Sequence, residues 1–541
     1  MIDNTPSGIY KEYTKGTTYK TSLNVYDNVK LNQNFYLGKQ WEGVNAPDIE
    51  KPVLNIVRQA IDYYISMLVS DDIGIQPILP DDIDEDVRQA IEFIIVEEME
   101  KIFEEIKFKQ NSREFLKNCS LDGSHAFYFW FNPEKDNQTE LPGAIEMVNI
   151  DCTNVIFADP TEHNIQLQDY VIVVQNLPKE TVMDMFKANE DDVDSSFDDD
   201  TALDEMESYA REVNKYVTVL TKFWKDDKGI VKVIKTTNKH ILMKETSLDI
   251  SLYPISWMSW RRSRNSYHGE SPITPIRPNQ IMINKYYMMI NEFTKKLAFP
   301  KLFYDKTKLT YWSNKIEAIG VNGNPNEIIA SSSPNMQLGN EIVAFIDNLI
   351  QKTKDALGIY DAAIGNTRPE NTSAIIAIQK AASQPLELQK MDYYQMIEDS
   401  VRIIMDLMSA NYGIRNMKVE LPSDEPELQG ELVPVEIPFN FSDLASNKVS
   451  VVIEVGAASY WSELMQIQTI DNMFRAGIIP NAKTYVEQMP NGIIKSKQEI
   501  LEAIEEANKI MQQQAQNQMQ QESVTQGLQP DLADLTGAMQ Q

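Results

Sequence analysis

The stretch "YHGESPITPIRPNQIMINKYYMMINEFTKKLAFP", residues 267–300, decides the fold of this 541-residue chain. Turn-forming residues come first, Pro278 suits the first turn of a helix, and Pro300 ends that helix. A helix that is apolar on two sides needs neighbours on two sides, either in a domain core or side by side around a ring. Two such stripes are present: Met282, Tyr286, Met289 and Phe293, and then Ile283, Tyr287, Ile290 and Leu297.

A second helix is predicted over residues 338–357, with Gly358 as its C-cap. Ile342, Phe345 and Leu349 lie on its apolar face. Residues 301–336, between the two helices, carry strand and turn signals. The segment therefore predicts two helices that flank a small excursion.

The loop "YDAAIGNTRPENTSA", residues 360–374, follows the second helix and is rich in helix breakers. A phosphate cradle, a hinge and an exposed contact loop are the alternatives. A phosphate-binding loop needs G-x-x-x-x-G-K-[ST], and this loop has one glycine and no lysine, which excludes a nucleotide site of that type. A third helix is predicted from Asn371–Thr372 to about Tyr412, with a kink at Pro385.

The rest of the chain predicts an α+β fold. Helical spacing follows Val53 through Leu68, and a long helix is predicted to end at Gly123. Strand character returns in residues 416–456, and residues from Tyr460 to about Met519 are predicted to be helical. The acidic segment around residues 190–207 is predicted to be a solvated, mobile loop. Short runs rich in β-branched and aromatic residues predict strands: "HAFYFWFNP", "AIEMVNI", "NVIFADP", "DYVIVVQNL", "KYVTVLTKFWK" and "IVKVIKTT".

Composition narrows the function classes. The net charge of −30 argues against a protein that coats nucleic acid, but not against one that lets nucleic acid pass without gripping it. Cys119 and Cys152 are expected to be neutral or buried thiols. The sequence begins without a signal-peptide pattern and has no membrane-span pattern, so we expect assembly in a reducing cytoplasm.

No catalytic, metal or cofactor site is predicted. The acidic triplets near residues 82–86 and 192–196 lack the glycine and glutamate that a calcium loop needs. None of the four histidines forms a zinc-type spacing, and structural roles are predicted for all four: His125, His163, His240 and His268. We therefore expect that the protein is not an enzyme, although a site of Asp and Glu assembled in space stays open.

Basic residues are scarce but cluster around the end of the first long helix. They are Lys295, Lys296, Lys301, Lys306 and Lys308. One alternative is a solvated face, intersubunit ion pairs or packing of the helices. The other is contact with a phosphate backbone.

Several segments of the chain follow one another in a distinctive order. "NQNFYLGKQW" and "KPVLNIV" come first, followed by the helix that ends at "LDGSHAFYFWF" and by "VIFADP". A Y-x-G-x-S turn then precedes a Pro-x-Gln-x-x-x-Asn entry into a long helix, here Pro278, Gln280 and Asn284. "GAASYWSELMQIQTIDNMFRAGII" comes later in the chain. In this order the segments resemble those of tailed-bacteriophage portal proteins, the head–tail connectors, in which the last segment leads into the C-terminal helical part. The resemblance covers nearly the whole chain.

The resemblance implies a ring, usually of twelve subunits, with a β-rich wing, long stem helices, a small α/β clip and a helical crown. By position, these parts would be the N-terminal part of the wing (1–275), a stem helix (276–300), the clip (301–336), the second stem helix (337–358), a tunnel loop (359–372), the kinked helix and return to the wing (373–456), the crown (457–520) and a disordered Gln-rich tail (521–541).

The implied function is a DNA channel at one capsid vertex of the virion, assembled in the host cytoplasm. Its partners would be other copies of the chain, double-stranded DNA, the terminase, a head-completion adaptor or tail, and the capsid and scaffold proteins, with no membrane. Stem packing would use Met282, Tyr286, Met289, Phe293, Ile342, Phe345 and Leu349. The tunnel-loop residues would be Tyr360, Asp361, Ile364, Gly365, Asn366, Thr367, Arg368, Pro369, Glu370 and Asn371. The alternatives are a capsid or tail interaction protein without a channel, and a packaging ATPase.

Overall fold

The computed structural model describes a mixed α and β chain, as the sequence predicts. The described residues are 3–69, 73–79, 85–135, 142–187, 216–298, 302–304, 306–309, 322–324, 329–331, 340–359, 384–422, 432–446, 450–455, 469–470, 472–475 and 482–487. Within these ranges, no helix is long and apolar enough to cross a membrane.

Eleven helices are used below, numbered within the described part of the chain. They are α1 (Pro6–Ser22), α2 (Val25–Leu37), α3 (Ile56–Leu68), α4 (Glu85–Glu105), α5 (Phe108–Asp122), α6 (Lys179–Phe186), α7 (Arg277–Ala298), α8 (Asn340–Ala356), α9 (Glu387–Asn411), α10 (Asp443–Ser446) and α11 (Ala482–Glu487).

Fourteen strands are numbered in the same way. They are β1 (Ile73–Ile78), β2 (Ser124–Asn132), β3 (Ala144–Asp151), β4 (Val155–Phe157), β5 (Tyr170–Pro178), β6 (Tyr216–Lys225), β7 (Val231–Thr236), β8 (Ile241–Ser247), β9 (Ile255–Ser259), β10 (Leu302–Tyr304), β11 (Ile329–Ser331), β12 (Ile414–Pro422), β13 (Leu432–Asn440) and β14 (Ser450–Val455).

Four of the five sheets among the described residues are built from antiparallel neighbours. β4 to β8 form a five-stranded meander, and β2 lies between β3 and β9 in a three-stranded sheet. β10 pairs with β11, β12 with β13, and β1 with β14. The β10–β11 pair lies in the predicted excursion, where strand signals were expected.

Helices α1, α5 and α9 pack on these sheets, and Ser256 Oγ of β9 donates to the Met396 carbonyl of α9 at 3.0 Å. α1 places Ile9 and Tyr13 on the five-stranded sheet, where they join a core that includes Leu220 and Trp224. α5 covers the three-stranded sheet, with the Phe115 ring centroid 4.4 Å from that of Phe127. Burying apolar side chains of this size removes most of their surface from water, which is the main force that holds helix to sheet.

Contacts divide the chain into two units, residues 1–70 with 74–454 and residues 71–73 with 455–541. In the second unit, residues 469–470 and 472–475 are helical, as is α11. The Phe474 and Tyr485 rings of that unit lie 4.7 Å apart. The helical prediction holds for these short segments, and the remainder of the predicted crown and tail lies outside the described residues.

Several predicted elements differ in detail. The single helix expected before Gly123 is broken between α4 and α5, where Lys107 has a left-handed φ of 50°. Gly123 does end α5, with a φ of 88°. A 3₁₀ turn at Gln384–Leu386 precedes α9, so Pro385 stands at the start of the described helix and not inside it. The predicted helix start near residues 371–372 and the acidic segment 190–207 lie outside the described residues.

Candidate functional site: the α7–α8 pair and its anchor

The base of α7 is held by two buried amide side chains. Gln280 Oε1 accepts from the N–H of Ile56 at 3.1 Å, and its Nε2 donates to the carbonyl of Leu54 at 2.6 Å. Asn284 Oδ1 accepts from the N–H of Leu54 at 3.2 Å, a contact across 230 residues of sequence. Because Gln280 and Asn284 are less than 3% exposed, these bonds satisfy polar groups that water cannot reach.

The same network reaches the end of α2 and the start of α3. Asn284 Nδ2 donates to Gln40 Oε1, and Gln40 Nε2 donates to the carbonyl of Phe35 at 2.9 Å. Gln40 Nε2 also donates to Asn55 Oδ1 at 3.2 Å, and this oxygen caps α3 by accepting from the Arg58 N–H at 3.0 Å. The segments "NQNFYLGKQW", "KPVLNIV" and Pro-x-Gln-x-x-x-Asn therefore meet in one hydrogen-bond network.

The turn before α7 docks on the end of α5 through two glycines. A Cβ placed on Gly123 would lie 2.4 Å from the carbonyl oxygen of Gly269, and a Cβ on Gly269 would lie 2.4 Å from that of Gly123. The Gly269 N–H donates to Ser124 Oγ at 2.8 Å, and Ser271 Oγ donates to the carbonyl of Ser120 at 2.7 Å. Only glycine permits this backbone approach, so the Y-x-G-x-S turn and the "LDGSH" segment form one joint.

α7 and α8 pack as an antiparallel pair. Asn279 Nδ2, near the start of α7, donates to Thr353 Oγ1, near the end of α8, at 3.5 Å. Further along, the rings of Tyr286 and Phe345 meet edge to face with centroids 5.7 Å apart. The predicted contact between the two helices is therefore present at Tyr286 and Phe345, while Phe293 and Leu349 are half-buried.

Both helices of this pair carry apolar side chains that stay uncovered within the described chain. These residues are 38–55% exposed, and we call them the α7–α8 apolar surface: Ile281, Met282, Met289, Ile342, Val343 and Phe345. Ile283 and Ile346 are buried, so each helix has a covered side and an exposed apolar side. This is the two-sided demand for neighbours that the sequence predicts for α7.

The predicted lysines differ in their surroundings. Lys295 Nζ lies 2.9 Å from Glu50 Oε1 and 3.4 Å from Glu292 Oε1. Bonds from Lys295 and Asn291 lower the pKa of the Glu50 carboxyl, and the Glu50 carboxylate raises the pKa of Lys295. These ion pairs favour the packing alternative for Lys295, because its charge is already balanced.

The remaining predicted residues give less. Lys306 is exposed and Lys308 is half-buried, both in the turn at residues 306–309. Lys301, the side chain of Lys296 and the whole predicted tunnel loop, residues 360–371, lie outside the described residues. Contact with a phosphate backbone stays a prediction for this group.

Three side chains of metal-ligating type come together elsewhere in the first unit. Asp122 at the end of α5, His125 in β2 and Asp151 in β3 each offer one ligand atom, and these atoms lie within 4.8 Å of one another. No sequence motif predicts this group, because Asp151 lies beside His125 only as a result of the β2–β3 register. The prediction of buried or neutral thiols is confirmed for Cys119 and Cys152, which are both buried and form no disulfide.

No known protein-family model matches this sequence, and none of the curated proteins is significantly similar to it.

Proposed function

We propose that this chain is a portal-type subunit that assembles with copies of itself into a ring around a DNA channel. The observation that carries the proposal is the α7–α8 pair. Its base is fixed to the same chain by the Gln280–Asn284 network, while its apolar surface stays 38–55% exposed in the part of the chain that the structure describes. Three of the segments that resemble portals meet at this base: "NQNFYLGKQW", "KPVLNIV" and the Pro-x-Gln-x-x-x-Asn entry.

The apolar surface favours a second copy of the chain as its partner. Clustered exposed apolar side chains on a soluble protein commonly mark an interaction site. Two different helices contribute to the surface, so one copy could place α7 against α8 of the next. A repeated contact between two different patches closes into a ring when the rotation between copies closes.

The charge of the chain suits a channel through which DNA slides. Each phosphate neutralised by a lysine or arginine adds affinity, and many such contacts would slow movement. With 80 acidic and 50 basic residues, the chain carries a net negative charge, which disfavours tight binding of DNA phosphates. In this proposal the ring sits at one capsid vertex of the virion, and ATP hydrolysis belongs to the terminase that docks on it.

The first experiment is imaging and mass measurement of the purified full-length protein. A closed ring with a central hole, of about twelve copies, is the expected result. A monomer, an open lattice or a filament would contradict the proposal. ATP turnover by the isolated protein would instead favour the packaging-ATPase alternative.

A matched pair of variants tests the surface itself. Met289→Asp puts a charge on the α7–α8 apolar surface, and Met185→Asp puts the same charge on α6, where Met185 is similarly exposed. We expect Met289→Asp to assemble at least tenfold less well, because a desolvated charge without a partner disfavours the contact. Met185→Asp should assemble normally. If Met289→Asp formed rings as stable as those of the unmodified protein, this surface would not be part of the contact between copies.

A capsid or tail interaction protein without a channel remains the second candidate. It also needs an exposed apolar surface, so the surface alone does not separate the two. The ring image does, because a channel requires a central hole.

A further inference from the structure

His125 occupies an unusual position for a buried histidine. Its side chain is fully buried at the start of β2, against the edge of the Phe115 ring, with centroids 5.1 Å apart. Neither ring nitrogen has a hydrogen-bond partner among the described residues. A buried imidazole with two unsatisfied nitrogens is costly, and such a group calls for an explanation.

A neighbouring buried carboxyl group shares this deficit. Asp122 is 9% exposed, and both of its carboxylate oxygens lack a hydrogen-bond partner in the described part of the chain. Asp151 is the cross-strand partner of His125, and its Oδ1 lies 3.8 Å from His125 Nδ1. The end of α5 and the β2–β3 register thus bring three ligand groups together, and two of them, Asp122 and His125, lack hydrogen-bond partners among the described residues.

The surrounding polar groups do not supply the missing hydrogen bonds to Asp122 and His125. The amides of Gln33 and Asn149 influence Asp122 and His125, yet neither makes a hydrogen bond of normal distance and angle with them. Lys117 is the nearby cation, and Glu114 adds a further carboxylate. Three carboxyl groups thus lie near one ammonium group, so their ionisation leaves room for an additional positive charge.

The spacing fits a metal ion. Zinc bonds to histidine nitrogen and carboxylate oxygen are about 2.0–2.2 Å long, so tetrahedral ligand atoms stand roughly 3.4 Å apart. The ligand atoms here lie within 4.8 Å of one another, with the His125–Asp151 pair at 3.8 Å. Movements of about 1 Å would bring all three into bonding range.

We propose that Asp122, His125 and Asp151 bind one divalent transition-metal ion of the Zn²⁺ type. A single imidazole with two carboxylates suits a borderline ion better than Mg²⁺ or Ca²⁺, which take oxygen ligands. The Asp151 side chain is 46% exposed, so it provides the entry path and leaves room for a water at the fourth position. Binding uses neutral His125 and two ionised carboxylates, so any proton held by the trio is released to solvent.

The ion would join three parts of the first unit. Asp122 ends α5, His125 begins β2 and Asp151 ends β3. Gly123, between the first two ligands, is the residue that meets Gly269 in the joint below α7. The site would therefore stabilise the joint without taking part in any reaction.

The test uses full-length protein that has been stripped of metal with a chelator and dialysed. Co²⁺ is the spectroscopic probe, because bound Co²⁺ gives visible d–d absorption, and Zn²⁺ is then titrated in competition. Metal per chain is measured by elemental analysis after gel filtration. The variants are Asp151→Asn and His125→Gln, and the control is Asp169→Asn, an exposed carboxylate outside the trio.

We expect one Co²⁺ or Zn²⁺ per chain in the unmodified protein and in Asp169→Asn, retained in excess Mg²⁺. Asp151→Asn should bind at least about 100-fold more weakly, since even residues behind the ligands cost 10–100-fold when removed. Because Asp151 is partly exposed, this variant decides the question even if His125→Gln fails to fold. The proposal is overturned by an absent d–d band in the unmodified protein, by equal affinity of Asp151→Asn, or by displacement with Mg²⁺.

Discussion

Replacing Gln280 with leucine tests whether the network at the base of α7 holds this helix in place. Gln280→Leu keeps the side-chain size but removes bonds to the Ile56 N–H, the Leu54 carbonyl and Asn284 Oδ1. The Ile56 N–H retains a contact to the Leu54 carbonyl at 3.0 Å, so the two groups are not left wholly unpaired. At about 1 kcal/mol per lost bond, plus a partial penalty for unsatisfied groups, the expected cost is about 2–4 kcal/mol.

Hydrogen exchange measures this cost locally, since a chain of two units need not unfold in one step. A loss of about 2–4 kcal/mol corresponds to exchange that is roughly 30- to 1,000-fold faster for amides of α7 and the start of α3. The control is Asn291→Ala. Asn291 also lies on α7, and this substitution removes an exposed hydrogen bond to Glu50. This control should change exchange by less than about threefold, because exposed polar pairs contribute little. Equal protection of α7 in Gln280→Leu and Asn291→Ala would refute the anchoring role.

Three further predictions concern other parts of the chain. Lys20→Met removes an ammonium that donates to the carbonyls of residues 152, 153 and 155 at 2.7–2.9 Å, and should cost about 3–5 kcal/mol in urea unfolding; a cost below about 1 kcal/mol would contradict this. Burial holds the pKa of His268 well below its usual value, so the unfolded chain binds a proton near pH 6.5 that the folded chain rejects. Stability should therefore fall as the pH drops below about 6.5. In this range one proton taken up on unfolding raises the unfolding equilibrium constant about tenfold per pH unit, and His268→Gln should remove that contribution. An equal pH dependence of unfolding in His268→Gln and the unmodified protein would count against this prediction. Replacing both Arg368 and Asn371 with alanine should leave rings intact but lower packaged DNA, and unchanged packaging would remove the loop from the mechanism.

Strands and the paired helices were accessible from sequence because their patterns are local. β2 to β7 match the six runs rich in β-branched and aromatic residues, and α7 and α8 lie within two or three residues of their predicted ends. Prolines and glycines mark these ends, and apolar spacing marks the interiors. Such signals need no knowledge of the partner element.

Other elements depend on contacts that a linear pattern does not contain. α1 has few apolar residues, and its helix is held by Ile9 and Tyr13 on the five-stranded sheet and by Thr5, which caps the Gly8 N–H at 3.2 Å. The break at Lys107 has neither glycine nor proline to announce it. These features are set by tertiary packing, which overrides weak local preference.

The candidate sites show the same division. The two apolar stripes of α7 predict that the helix has neighbours on two sides. They do not predict which stripe is covered by the same chain. The role of Gln280 and Asn284 was visible only as a motif, because their partners Leu54 and Ile56 lie more than 200 residues away. The Asp122–His125–Asp151 trio needed the β2–β3 register.

The network at the base of α7 also determines which side of the helix faces outward. Successive residues of an α-helix are turned by about 100°, so Met282 lies about 200° from Gln280 and Met289 about 180° from it. Turning α7 to hide these methionines would bring Gln280 and Asn284 away from Leu54 and Ile56 and leave their amides unpaired. Gln280→Leu should therefore weaken ring assembly although it lies outside the exposed surface, whereas Met289→Asp should weaken assembly and leave exchange at the start of α3 unchanged. If both variants changed both measurements equally, anchoring and assembly would not be separate functions of α7.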